Sequence, residues 1–135
     1  MKKFKSLVLA VIGLQCSICV SVHDFEVDGI YYNITSEEDK TVEVTCHGDY
    51  HVDYSNEYSD AVTIPESVVY NGNTYSVTSI GKRTFDNCSG LTSVEIPNCV
   101  TNIGEYAFAW CYGLTSMIIP NSITNLEIGV FCIGN

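Results

Sequence analysis

The sequence predicts a mostly β chain: a short, right-handed leucine-rich-repeat type of coil, one short strand per repeat, with an N-terminal β-hairpin and small sheet as its cap. Three observations predict it. Residues recur with a period of 23 from Val77 onward: Ile80, Ile103 and Leu126; Phe85, Phe108 and Phe131; Cys88 and Cys111; Pro97 and Pro120. Each unit also carries a strand pattern, Leu91-x-x-Val94-x-Ile96 and then Leu114-x-x-Met117-x-Ile119, which matches the Leu-x-x-Leu-x-Leu core of such repeats. Ahead of the repeats, Asp28-Gly29 and Asn71-Gly72 sit between apolar runs as two-residue hairpin turns do.

The period implies a solenoid because one short unit cannot cover its own apolar side chains. Stacking lays Ile on Ile and Phe on Phe, so each coil is sealed by its neighbours. Val94 and Ile96 are two apart and point inward from one strand, while Glu95 points out. Gly81 and Gly104 are expected to open the turn after the first Ile, and Gly90 and Gly113 the turn before the strand.

In chain order, Met1 to about Ser21 reads as a secretory leader. Lys2, Lys3 and Lys5 form its basic end, Leu7 to Leu14 its apolar run, and Ser21 a small residue before cleavage near Val22. The apolar run is too short to span a bilayer. Cys16 follows Gln15, a poor fit for lipid attachment, which wants a small residue there. The chain thus divides into a leader, 1–21, a β cap region, 22–58, and the solenoid, 59–135, whose last repeat is incomplete.

In the cap region, the Asp28-Gly29 turn sets Val27 against Ile30 and Phe25 against Tyr32. Thr41 to Thr45 alternates as a third strand, and Ser36-Glu37-Glu38-Asp39 is a solvated turn. This sheet is expected to cover the N-terminal end of the solenoid. The polar, tyrosine-rich stretch from His47 to Tyr58 reads as a surface loop. Cys46, His47 and His51 are metal-ligand types, but no second matched pair accompanies them, and no metal or cofactor is expected. Ser59 to Pro65 aligns with Leu91 to Pro97 as a diverged strand copy. Pro65 and Pro97 lie 32 apart, and the Tyr70–Tyr75 hairpin accounts for the excess over one period.

Two of the seven cysteines fall in the leader, leaving Cys46, Cys88, Cys99, Cys111 and Cys132. An odd number leaves at least one thiol unpaired. Cys88 and Cys111 share one slot of successive coils, where a buried ladder of free thiols is expected; a disulfide there needs the side chains turned toward each other. Cys99, and Ser122 in the next unit, stand where a side chain bonds turn backbone. A cysteine nucleophile needs a base held close, and no histidine lies in the repeats.

The last unit is degenerate. Glu127 replaces the turn glycine, Gly134 the ladder cysteine, and no C-terminal cap pattern precedes Asn135. A fragment of a longer solenoid or a decayed gene copy is the expectation. An open end docking on a partner or on a second copy is the alternative, and the isolated mature chain is expected to be marginally stable or to self-associate through the open C-terminal coil.

The sequence resembles the BspA-like bacterial surface leucine-rich repeat family, known from Bacteroides relatives. The residues that carry the likeness are Ser79-Ile80-Gly81, Phe85, Cys88-Ser89-Gly90-Leu91-Thr92-Ser93-Val94 and Ile96-Pro97, with their copy at Asn102-Ile103-Gly104, Ala107-Phe108, Cys111, Gly113-Leu114-Thr115-Ser116 and Ile119-Pro120. The Asp24–Ile34 lead-in and the Tyr70–Tyr75 hairpin look like that family's N-terminal region. The resemblance implies a secreted or cell-surface interaction protein and carries no catalytic residues.

Charge narrows the partners. The net charge is −10, and outside the leader only Lys40, Lys82 and Arg83 stand against 16 acids. No basic stripe serves nucleic acid or anionic lipid, and membrane insertion is not expected. The strand residues facing out of the solenoid form the candidate binding strip: Thr63, Thr92, Ser93, Glu95, Thr115, Ser116 and Ile118, with Asp60 and Ala61 at its start. Solenoids bind through such faces; Thr and Ser are also simply good strand-surface residues. The function expected is a non-catalytic protein-interaction or adhesion module whose partner is an extracellular protein or glycan, a host matrix component or another cell surface. A glycan-binding module and a non-functional remnant of a longer repeat protein are the alternatives. An enzyme needs convergent acid, base or nucleophile groups, and the carboxylates here are scattered among turns.

Overall fold

The computed structural model describes residues 23–48 and 58–132. The leader, His51 and the last three residues, Gly134 among them, lie outside the described residues. Every regular element described is a strand: β1 (Phe25–Val27), β2 (Ile30–Ser36), β3 (Thr41–Thr45), β4 (Asp60–Thr63), β5 (Ser67–Tyr70), β6 (Asn73–Ile80), β7 (Leu91–Glu95), β8 (Asn102–Ile103), β9 (Ser116–Ile118) and β10 (Asn125–Leu126).

The strands form two sheets. The larger runs β1-β2-β3-β6-β8-β10, with β5 paired to β6; the smaller runs β4-β7-β9. The first hairpin has the expected register, with Phe25 opposite Tyr32 and Val27 opposite Ile30. Asp28 and Gly29 both take positive φ, 51° and 81°, as a type I′ turn requires. Asn71 and Gly72 do the same in the β5–β6 hairpin, which pairs Tyr70 with Asn73. Phe25 stacks on Tyr70 at 4.1 Å and so ties one hairpin to the other.

The cap is continuous with the solenoid. β3 pairs in parallel with β6, which pairs with β8, and β8 with β10. On the other sheet β4 pairs with β7 and β7 with β9, all parallel, with Val62 opposite Val94 and Val94 opposite Met117. Each coil therefore carries a second strand segment in addition to the one expected: the end of β6, then the two-residue β8 and β10. The signal for it is short: Ser79-Ile80, Asn102-Ile103 and Asn125-Leu126 are too brief to show an alternation.

The core lies between the sheets, with Val44, Val77, Ile80, Leu91, Val100 and Ile103 fully buried. Phe85 and Phe108 stack at 5.0 Å and 12°, and Phe108 and Phe131 at 5.8 Å and 14°. Tyr58 extends this ladder toward the cap: its ring meets Phe85 at 4.8 Å, and its hydroxyl donates to Thr45 O at 2.7 Å.

A third seam joins the coils where no strand is assigned. Arg83, Phe85 and Asn87 donate their N–H groups to Glu105, Ala107 and Ala109. One period on, Tyr106, Phe108 and Trp110 donate to Ile128, Val130 and Cys132. Every second N–H thus points at the next coil, and the chain turns sharply at the first and last donor of each set. The turning residues, Arg83, Asn87, Tyr106 and Trp110, sit at φ between 55° and 61°, and Gly129 continues the series at 67°.

This corrects the reading of the repeat glycines. Gly81, Gly104 and Gly113 do not hold positive φ. They are glycines because the coils approach too closely for a side chain. A Cβ on Gly104 would lie 2.7 Å from Lys82 N, and one on Gly113 would lie 2.4 Å from Ser89 O.

Candidate functional site

The small sheet presents its outer face as a groove of about 500 Å³. Its outward side chains come in two rows across β4, β7 and β9: Ala61, Ser93 and Ser116, then Thr63, Glu95 and Ile118. Strand alternation places them there, since Val62 and Val94 turn toward the core. The first row is small and makes a floor. The second runs from hydroxyl to carboxylate to aliphatic side chain. Thr63 Oγ1 lies 3.5 Å from Glu95 Oε2, so the acid is only loosely held from within the chain. Ile118 is the most solvent-exposed of the large apolar residues among those described, at 84%. Two further hollows adjoin the N-terminal edge and share Thr63 with the groove; both reach Asp28 and Ile30 at the tip of the first hairpin.

Five of the seven residues of the predicted strip, Thr63, Ser93, Glu95, Ser116 and Ile118, line this groove. Thr92 and Thr115 do not. Thr92 lies in β7 where the pairing with β4 shifts, Asp60 facing Leu91 and Ala61 facing Ser93, and Thr115 lies just ahead of β9 with its N and Oγ1 within 3.3 Å of Thr92 O. The Leu91-x-x-Val94 spacing carries no sign of this shift. Asn98, Met117 and Pro120 line the groove and were not in the predicted strip; their signal is position, beside the repeated Ile-Pro pair.

The cysteine slots behave as stacked positions. Cys46, Cys88, Cys99, Cys111 and Cys132 are all free thiols. Cys111 Sγ donates to Phe85 O at 2.9 Å, and burial, with Cys88 nearby, pushes its pKa up to about 12. Such a thiol is held neutral and is no nucleophile at ordinary pH. Cys99 Sγ donates to Glu66 O at 3.6 Å, and Ser122 Oγ to Val100 O at 2.7 Å, so both bond backbone as expected of that slot. Near the cap, His47 O accepts from His23 Nδ1 at 2.8 Å, and Cys46 Sγ donates to Gly48 O at 3.5 Å. Among the described residues no group of three His, Cys, Asp or Glu is placed to hold a metal ion, and no helix is long and apolar enough to cross a membrane.

A family model for the BspA type leucine rich repeat region matches residues 54–135, in six copies. Among solved structures, a leucine-rich repeat protein from Bacteroides ovatus is 40% identical, with a TM-score of 0.63 over 75% of this chain and 24% of its own. A leucine rich cell surface protein from Faecalibacterium prausnitzii is 29% identical, with a TM-score of 0.58 over 76% of this chain and 26% of its own. The chain thus spans about a quarter of the length of either. A leucine-rich repeat protein from Bacteroides capillosus shares the fold at 24% identity, with a TM-score of 0.59 over 81% of this chain and 91% of its own. A comparison with curated proteins finds no match.

Proposed function

The chain belongs to the BspA type leucine-rich repeat family, and from that membership we propose that it is a non-catalytic interaction module, exported to the cell surface or beyond, that binds an extracellular partner through the groove of the small sheet. The observation that carries the reading is the register of β4, β7 and β9, which lines up side chains from three coils on one open face. Repeat proteins gain binding surface in this way, by adding coils to a face. The cell-surface description of the Faecalibacterium prausnitzii protein supports the location. Export is supported by the basic and apolar pattern of residues 1–21.

The test is binding of the intact protein to an array of extracellular matrix proteins and glycans. Ser93→Trp fills the floor of the groove, and Thr92→Ala changes an exposed residue outside it. Binding that Ser93→Trp abolishes and Thr92→Ala leaves intact is the expected result. Equal binding by wild type and Ser93→Trp removes the groove as the site.

Self-association is a second reading. Leu126, Ile128 and Phe131 are exposed together on the C-terminal coil. Phe131, the last ring of the ladder among the described residues, is 44% exposed, and a second copy stacked on it would extend the column.

A further inference from the structure

We infer that the groove takes an extended polypeptide segment, with a lysine or arginine side chain at Glu95 and an aliphatic side chain against Ile118. This rests on the groove being the binding site.

Charge is the first argument. No lysine or arginine lines the groove or either adjoining hollow. The cations of the described residues are engaged elsewhere: Lys40 with Glu37 at 3.5 Å, Lys82 with Glu105 at 2.7 Å, and Arg83 with Asp86 at 2.6 Å. Glu95 is left facing outward with the weak contact to Thr63 as its hydrogen bond. Asp28 lies further along the same surface, on the far side of Thr63. A cationic side chain laid along this line meets a carboxylate that it does not have to win from an internal partner.

Shape and polarity supply the second argument. The floor is small at Ala61, Ser93 and Ser116, so a backbone can approach closely. The hydroxyls of Thr63, Ser93 and Ser116 can each donate and accept, which suits main-chain amides. Beyond Glu95 the surface turns apolar, at Ile118 and Pro120. Among the described residues no aromatic ring lines the groove, so these offer a saccharide no flat apolar platform for its C–H face. A basic side chain followed by an aliphatic one reproduces the polarity of the surface in reverse.

The experiment immobilises the full chain and probes it with an array of short peptides that vary Lys or Arg and Leu or Ile, beside matched peptides with every Lys and Arg replaced by Gln, and a glycan array. Peptides with both basic and aliphatic residues bind, their affinity falls with added salt, and the Gln-substituted set does not bind. Glu95→Gln weakens binding about tenfold, the loss expected of one charge-assisted hydrogen bond, and Ile118→Ser weakens it too. Binding blocked by Ser93→Trp but equal for basic and Gln-substituted peptides overturns the cationic preference and leaves the groove reading standing. Peptide binding that a folded Ser93→Trp protein retains overturns both. Absence of peptide binding overturns the inference, and glycan binding in its place assigns the groove to saccharides. Glu95 is exposed, so its variant folds and keeps the test decisive should Ser93→Trp fail to.

Discussion

At the scale of single residues, backbone conformation is the main source of strain. Asn87 and Trp110 occupy one slot of successive coils, at φ 61° and 59°. Asparagine tolerates this region, whereas a bulky side chain crowds its own carbonyl there, at a cost on the order of 1 kcal/mol. Trp110 is 37% exposed and touches Tyr112 edge-on at 6.2 Å, so packing returns little of that cost. Trp110→Asn is therefore expected to stabilise the chain, by about 1 kcal/mol in urea denaturation. The neighbouring slot solves the same problem differently. The guanidinium of Arg83 lies 4.9 Å from the Tyr106 ring centre, and a Cβ on Gly129 would strike that ring, so the third coil has a glycine. Titration also acts residue by residue. Burial pushes Cys111 up from an ordinary 9.0 and Tyr32 up from 10.0, each to about 12. In the unfolded chain these groups lose protons first, so their contribution is complete below about pH 9 and declines as pH rises toward 12. The urea midpoint is expected to fall above about pH 9, less steeply in Cys111→Ala than in wild type.

At the scale of elements, the parts legible in the sequence are those with a side-chain signal. Both hairpins follow from Asp-Gly and Asn-Gly between apolar runs, and β7 and β9 from the spacing of Leu91, Val94 and Ile96. The repeating Phe and Cys marked true stacking positions because a buried side chain repeats only where its surroundings repeat. The seam through Phe85 and Phe108 left no trace, since it is made by backbone N–H groups that any residue supplies. The left-handed slots were illegible for the same reason: their occupants are Arg, Asn, Tyr, Trp and Gly, with no common chemistry. The repeat glycines signalled a special position correctly and its cause wrongly. A glycine in sequence does not tell positive φ from close approach of a neighbour. The groove was partly legible: alternation located its outward rows, while the register shift at Thr92, and the start of β9 after Thr115, left two residues out of it.

At the scale of the whole molecule, one core runs from the cap hairpin to the last coil without a break. Tyr58, Phe85, Phe108 and Phe131 trace it as one column of rings. The column closes at the cap, where the Tyr58 hydroxyl bonds the backbone of β3. At the other end Phe131 is 44% exposed, beside Ile128 at 69% and Leu126 at 50%. Apolar area gathered on one end face favours association. Sedimentation of the chain is expected to show concentration-dependent assembly that Ile128→Lys suppresses while the melting temperature stays within a few degrees. A wild-type chain that sediments as a monomer at all concentrations rules out the end face as an interface.

The seam of alternate N–H groups has a mechanical consequence. Its bonds, like the parallel pairings of the two sheets, run from coil to coil, and so lie along the long direction of the stack. Pulled from its two ends in a force experiment, the chain is expected to give way one loop at a time, in extensions of about one repeat each.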